Sequence, residues 1–473
     1  MMLHPVPLNR LRVAWMLLVA LASLTTLGDA PALSQSKSPK SPDCRVDAVD
    51  YQGWHAQQIS NRWVQLIVVP QNGGRLMQVT FAGHPYLFVN PKLAGKYFPP
   101  SSNRWFNYGG DKLWLLPEGN NDEHHWAGNS DVLDDGPFTF RKVSEGDRCE
   151  IELTGPSDPQ TGIQFTRTIR IDADSPRIGF HASMKNVTGH RLEWSMQSVS
   201  QYDVSQSAAE GVRQAAAMNH NFWTFTPANP SSSYLNRYHV RFGPAENPAV
   251  GVREDGLFTV HYVHMAAELW LDSTEGWLAV VDGNSQYTMV ERFRYEAHKP
   301  YPGKASVIFW TNGPEMKLTS EGNSSLSANP DGSPYYLEAE INSPMCQLHP
   351  GESCSLDTEW FPTRSGSEFL GVTDAGVLIR TLKATVGKNG KIGLSGAFGV
   401  FFPGHLVARL YDELGHLAAV TSIADVFPNE RASLETEISS PKKCSRLSVH
   451  LIDNSGVDRG ALQEVQLSDS ATP

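Results

Sequence analysis

Ile163-Gln164-Phe165-Thr166-Arg167-Thr168-Ile169-Arg170-Ile171 decides the fold class. Ile163, Phe165, Ile169 and Ile171 alternate with Gln164, Thr166, Thr168 and Arg170. A period of two puts the apolar set on one side of an extended chain. Asp172-Ala173-Asp174-Ser175-Pro176 is a turn sequence, and Ile178, Phe180, Ala182 and Met184 resume the alternation beyond it. The segment therefore reads as two antiparallel strands with one buried face.

The same grammar extends in both directions. Upstream, the apolar run Trp63 to Val69 ends at Gln71-Asn72-Gly73-Gly74, a hairpin turn. Met77, Val79 and Phe81 then alternate with Gln78 and Thr80, and Ala82-Gly83-His84-Pro85 leads to a strand over Tyr86 to Val89. Downstream, strands are expected at Phe258–Val263, Gly276–Val281, Tyr287–Phe293, Ala305–Trp310, Tyr335–Ile341 and Ser353–Phe361. One short helix is expected over Ser207–Met218. Near Pro362 to Ser367 the character changes, and a second strand set follows: Val377–Val386, Lys391–Phe402, His405–Tyr411, Leu417–Ser422, Ala432–Ile438 and Arg446–Ile452. Short alternating strands with frequent turns predict an all-β chain. Residues 46–364 form a large sheet domain, and residues 365–473 a small sandwich of immunoglobulin-like size.

The 473 residues are 40% hydrophobic and 19% charged, a globular composition with room for an ample core. A net charge of -11 without a Lys/Arg cluster excludes a phosphate-backbone partner. Arg10 and Arg12 precede an apolar run from Val13 to Leu24, the layout of a secretory leader. Cleavage is expected after Ala32 or Ser34, so residues 1–34 are read as leader and 35–45 as linker. No later stretch is apolar enough to span a membrane, and the expected location is periplasmic or secreted. Five cysteines leave at least one without an intramolecular partner. Cys346 and Cys354 flank the His349-Pro350-Gly351 turn and are candidates to face each other. Cysteine and histidine spacings match no metal motif, so no metal or cofactor is expected.

Two stretches carry candidate chemistry. The first runs from Asn103 to Phe138 and reads as a binding loop. It holds Tyr108-Gly109-Gly110-Asp111-Lys112-Leu113-Trp114, Pro117-Glu118, and His124-His125-Trp126. Flat rings, glycines that permit close approach and charged ends suit a sugar subsite. The second is Tyr335-Tyr336-Leu337-Glu338-Ala339-Glu340-Ile341. On a strand, Glu338 and Glu340 share a face about 6–7 Å apart, so they repel and one pKa rises unless both are paired or solvated. They are either a cleft floor or plain surface glutamates. Glu268 and Asp272, around Trp270, read as an ordinary surface strand.

Several segments resemble galactose-mutarotase-like proteins. Asn72-Gly73-Gly74-Arg75-Leu76 is similar to their early hairpin, Arg167 to Thr188 to their central strands, and Leu337-Glu338-Ala339-Glu340 with Leu348 to Ser353 to their closing strands. Tyr108 to Trp114 and Pro117-Glu118 resemble an uncharacterised branch of the superfamily. The resemblance implies a β-supersandwich over residues 46–364 with a sugar cleft, and a mono- or oligosaccharide partner. It implies Glu338 as the base of an aldose 1-epimerase-like reaction, with Glu340 where the family has Gln. The family's histidine does not carry over, because Trp194-Ser195 stand in its place. His124, His125 and Glu118 are the substitute acids, and Arg75, Asp111, Lys112, Trp114, Trp126 and Glu340 the saccharide contacts. Three functions follow: a carbohydrate-binding protein, a sugar isomerase, or an envelope module with a vestigial cleft. The C-terminal sandwich is open to a protein or cell-wall contact.

Overall fold

Ile163–Asp172 and Ile178–Asn186 pair antiparallel, with Ile171 opposite Ile178 and Phe165 opposite Met184. This computed structural model describes residues 43–473 except 101–105, 120–123, 127–131, 207–216, 315, 319–323, 327–332, 388–389, 441–442 and 468–473. The expected leader, most of the expected linker and most of the expected Ser207–Met218 helix lie outside the described residues. Ala217–Met218 itself pairs with Ser205–Gln206 as a short ladder.

The chain is all-β, and two large antiparallel sheets carry its first part. The twelve-stranded sheet has the main path Arg45–Tyr51, Trp54–Ser60, Val64–Val69, Arg75–Phe81, Asp111–Leu116, Leu192–Asp203, Tyr336–Asn342, Val307–Thr311, Ala267–Leu271 and His239–Phe242. The ten-stranded sheet runs Val250–Val252, Leu257–His261, Phe222–Pro227, Trp277–Asp282, Tyr287–Phe293, Ser353–Arg364, Ile178–Asn186, Ile163–Asp172, Arg148–Ser157 and Thr139–Ser144. The two share one apolar core, in which Leu66, Val79, Leu269 and Phe309 of the first sheet meet Ile163, Ile169, Leu278 and Trp360 of the second.

Each sheet has a second face, and the two are treated differently. Phe225, Trp277 and Phe361 on the outside of the ten-stranded sheet pack with Phe369, Phe401 and Phe402. Phe225 and Phe369 stack at 4.6 Å. Those last residues belong to the C-terminal part, which forms two four-stranded sheets. One is Gly371–Val372, Gly376–Val386, Lys391–Val400 and Arg431–Ser439; the other is Leu417–Val426, Gly404–Tyr411, Arg446–Asp453 and Asp458–Gln466. On the twelve-stranded sheet, Leu93, Phe106 and Tyr108 cover Trp54, Ile67 and Met77. The remaining strands of that face carry the cleft described below.

Two expectations are corrected. Asp111–Leu116, read as loop, is a strand in the middle of the sheet between Arg75–Phe81 and Leu192–Asp203. Tyr86–Val89, read as a strand, makes only isolated bridges at Leu87 and Val89. There the Gln78 amide replaces the ladder: its Oε1 accepts from the Tyr86 and Leu87 N–H groups, and its Nε2 donates to the Leu87 carbonyl. The Cys346–Cys354 disulfide closes the His349 hairpin, and a second joins Cys44 to Cys149 across 105 residues. Cys444 belongs to neither disulfide.

Candidate functional site

Register on the twelve-stranded sheet assembles the site. Glu338 lies opposite Gln201 on one neighbour and Trp310 on the other, and Trp310 lies opposite Glu268. Glu340 lies opposite Val199 and Ile308, and Ile308 opposite Trp270. Trp114 lies opposite Gln197. Antiparallel partners project to the same side, so these residues, drawn from five strands, share the face turned away from the core. They enclose a cavity of about 260 Å³, lined by Trp114, Glu118, Glu268, Trp270, Trp310, Tyr336, Glu338 and Glu340. Gln197, Ile308 and Arg241 also line it. Ligand sites commonly run from ~300 to ~1,000 Å³, so this one admits a small ligand or one ring of a longer one.

Glu338 and Glu340 form the floor, only 8% and 7% exposed. The Gln201 amide donates to Glu338 Oε1, and the Gln197 amide to Glu340 Oε2. Burial raises both carboxyl pKa values. The Lys112 ammonium opposes the rise at Glu338. At Glu340 the charges of Glu338, Glu268 and Glu118 add to it, and the value goes well above the usual range. Glu340 therefore holds a proton more firmly than Glu338. Glu268 accepts from the Trp270 indole N–H and is also raised, chiefly by burial. Glu118 stands at the mouth. Loss of water around its carboxyl, with Glu268 and Glu338 nearby, pushes it up to about 7. Its residue surface remains solvent-exposed, which tempers that loss of water. An acid that titrates near neutrality beside an ionisable base is the pairing that proton-transfer chemistry requires.

The wall at Trp114 is braced from behind. Its indole N–H donates to Asp134 Oδ1 at 2.9 Å, and Arg75 reaches the same oxygen at 2.8 Å. The Lys112 ammonium sits 3.9 Å from the Trp114 ring centre. Trp126 meets that indole edge-on at 5.3 Å. The Gly73 turn is part of the brace: a Cβ there would fall 1.8 Å from the Asp134 carbonyl oxygen, so only glycine lets the two loops touch.

Of the residues singled out in the sequence, Glu338, Glu340, Trp114 and Glu118 line the cavity. Arg75 is fully enclosed with Asp134 and Asp135, and Lys112 and Trp126 are buried behind the wall. Asp111 faces the core, where Arg167 pairs with it. His124 and His125 line a different hollow, with His190, Arg191 and Glu193. Ser195, at the place of the family's histidine, donates to the Ser343 carbonyl at 2.6 Å and is buried. Gln197, Arg241, Ile308 and Trp310 were not foreseen. The two-residue spacing of Glu268 and Trp270, read as a surface strand, was the available signal for a shared face.

No protein-family description and no curated protein matches the sequence. Galactose-mutarotase-like proteins recur among the solved structures that resemble it. One from Clostridium acetobutylicum is 11% identical, with a TM-score of 0.42 over 68% of this chain and 99% of that one. One from Lactobacillus casei is 11% identical, with a TM-score of 0.40 over 65% and 99%. A TPR-domain-containing protein from Parabacteroides distasonis is 14% identical, with a TM-score of 0.43 over 66% of this chain. This chain spans 47% of that protein's length. These are likenesses of β architecture alone.

Proposed function

We propose that the protein binds a saccharide in the cleft over Glu338 and Glu340. One observation carries the reading: three indole rings and Tyr336 wall a small cavity whose floor is two buried carboxylates. Pyranose rings offer flat C–H faces to aromatic rings and hydroxyls to carboxylates, and this cavity presents both. We also propose that the protein works outside the cytoplasm. The leader-like segment before Ala32 and the two disulfides support this, since such bonds persist in oxidising compartments.

A second reading, an isomerase at the anomeric carbon, is favoured by Glu118 lining the same cavity as Glu338. Glu338 would take the anomeric hydroxyl proton while Glu118 gives its proton to the ring oxygen. The C1–ring-oxygen bond breaks as the carbonyl forms, and closure on the other face returns both protons.

Binding is tested by calorimetry and indole fluorescence with a panel of aldoses, and catalysis by NMR of anomer exchange. Saturable binding that Trp310→Ala weakens at least about tenfold is expected. Silence across the panel in both binding measurements would remove the saccharide reading. Exchange no faster than buffer for every bound sugar would remove the isomerase and leave the binder.

A further inference from the structure

The charge of the cleft says more about its ligand than its shape does. Four carboxyl groups, Glu118, Glu268, Glu338 and Glu340, line one small cavity. Two cations stand near them. Lys112 lies behind the Trp114 wall, and Arg241 lies exposed at the rim, 5.9 Å from the Trp270 ring centre. Among the described residues that line the cavity, four are acids and one, Arg241, is a base. The contrast with the neighbouring brace is direct: there Asp134 and Asp135 have the Arg75 guanidinium between them at 2.8 and 3.4 Å.

The floor carboxylates are also incompletely bonded. Glu338 receives one hydrogen bond at Oε1, and Glu340 one at Oε2. Among the described residues, Glu338 Oε2 and Glu340 Oε1 have no hydrogen-bond partner, although both residues are more than nine-tenths buried and line the cavity. Both oxygens open onto the cavity, where a bound donor can take the place of water. The walls specify what kind of group. Indole and phenol faces carry negative charge and attract a cation within about 6 Å of the ring centre. Trp114, Trp270, Trp310 and Tyr336 line the cavity, with Lys112 over the Trp114 ring and Phe88 and Phe242 stacked on Tyr336 and Trp310.

We propose that the cleft selects an amino sugar, with the protonated amine held over Glu338 and Glu340 between the aromatic walls. This rests on the saccharide reading and names the sugar's class. An ammonium group supplies three donors, which match the unused acceptor oxygens on the floor. A uronic or sulfated sugar brings the same sign of charge as the floor and is excluded. A neutral or N-acetylated sugar leaves the acceptors without a charged partner.

The experiment is a calorimetric titration of the whole protein with glucosamine, galactosamine, glucose, N-acetylglucosamine, glucuronic acid and choline. At least one amine is expected to bind about tenfold or more tightly than glucose and N-acetylglucosamine, with no response to glucuronic acid. Glu338→Gln is expected to bring that amine down to the affinity of glucose. Glu268→Gln serves as the second variant, and thermal unfolding checks that each variant folds. Glucose binding as tightly as both amines overturns the amine proposal and leaves the saccharide reading standing. Choline binding with no response to any sugar overturns both, because the cavity then takes a cation without a ring. Silence towards all six also overturns both.

Discussion

The twelve-stranded sheet carries buried acids on both faces, and the two faces treat them in opposite ways. On the core face, Asp111 has the Arg167 guanidinium against Oδ1 and the Ser200 and Ser198 hydroxyls at 3.0 and 3.3 Å from Oδ2. On the cleft face, Glu338 and Glu340 each have one glutamine amide and an open cavity. Burial is therefore a poor guide to function here. What separates a structural acid from a ligand-ready one is whether the protein has already supplied its partner. Asp111 and Glu338 are one residue out of register across Leu192–Asp203, since Asp111 pairs with Ser200 and Glu338 with Gln201. The one-residue offset sends them to opposite sides of the sheet.

The largest effect should come from breaking the core-face pair. Asp111→Ala strands a guanidinium that is itself 4% exposed. Removing one partner of a buried pair typically costs about 3–5 kcal/mol, so chemical denaturation should show a loss of that order. A loss below about 1 kcal/mol would mean that Arg167 finds water or another acceptor, and the distinction between the two faces would weaken.

The shared core also contains an acid that makes no ion pair among the described residues, with Arg167 only partly offsetting its burial. Tyr202 donates to Glu291 Oε1, while Glu291 Oε2 is buried without a hydrogen-bond partner. Burial pushes this carboxyl up to about 8, and the charge of Asp111 adds to the rise. In the unfolded chain it ionises near 4.3. Between these values folding must take up a proton, so this group opposes folding increasingly as pH rises from about 4.5 to about 8 and equally thereafter. Glu291→Gln keeps the acceptor for Tyr202 and removes the titration. Relative to wild type, the variant should gain stability with rising pH, by on the order of a few kcal/mol between pH 5 and 8. Parallel curves of unfolding free energy against pH would show that Glu291 is ionised in the folded protein. The slope is the readout, because the new amide's own cost does not vary with pH.

Legibility in the sequence followed burial pattern. Tyr287–Phe293 was read with its observed ends, and Ile163 to Met184 as the observed hairpin, because each alternates or is bounded by clear turns. Asp111–Leu116 was missed for the opposite reason. It is buried on both faces, and its polar pair Asp111-Lys112 sits at the start, so no period-two signal survives. The floor of the cleft was legible because Glu338 and Glu340 are two residues apart on one strand. Its walls were not: Trp114, Trp270 and Trp310 come from three strands separated by some 200 residues of sequence. Register alone brings them together.

The smallest expected effect concerns the acid that serves the cleft. In the sequence, Glu118, His124 and His125 were equivalent candidates within one short stretch. The structure separates them at Pro117, which borders both hollows: Glu118 lies with Glu338, and the histidines lie with His190, Arg191 and Glu193. A proton donor must come within hydrogen-bond reach of the atom it protonates, and neither histidine lines the first hollow. The double variant His124→Ala/His125→Ala should therefore leave sugar affinity and any anomer-exchange rate within about twofold of wild type. Glu118→Gln should lower that rate while sparing affinity. If the histidine variant instead abolishes exchange and Glu118→Gln does not, the loop closes over the cleft when sugar binds and delivers an imidazole, and the division between the two hollows holds only for the unliganded protein.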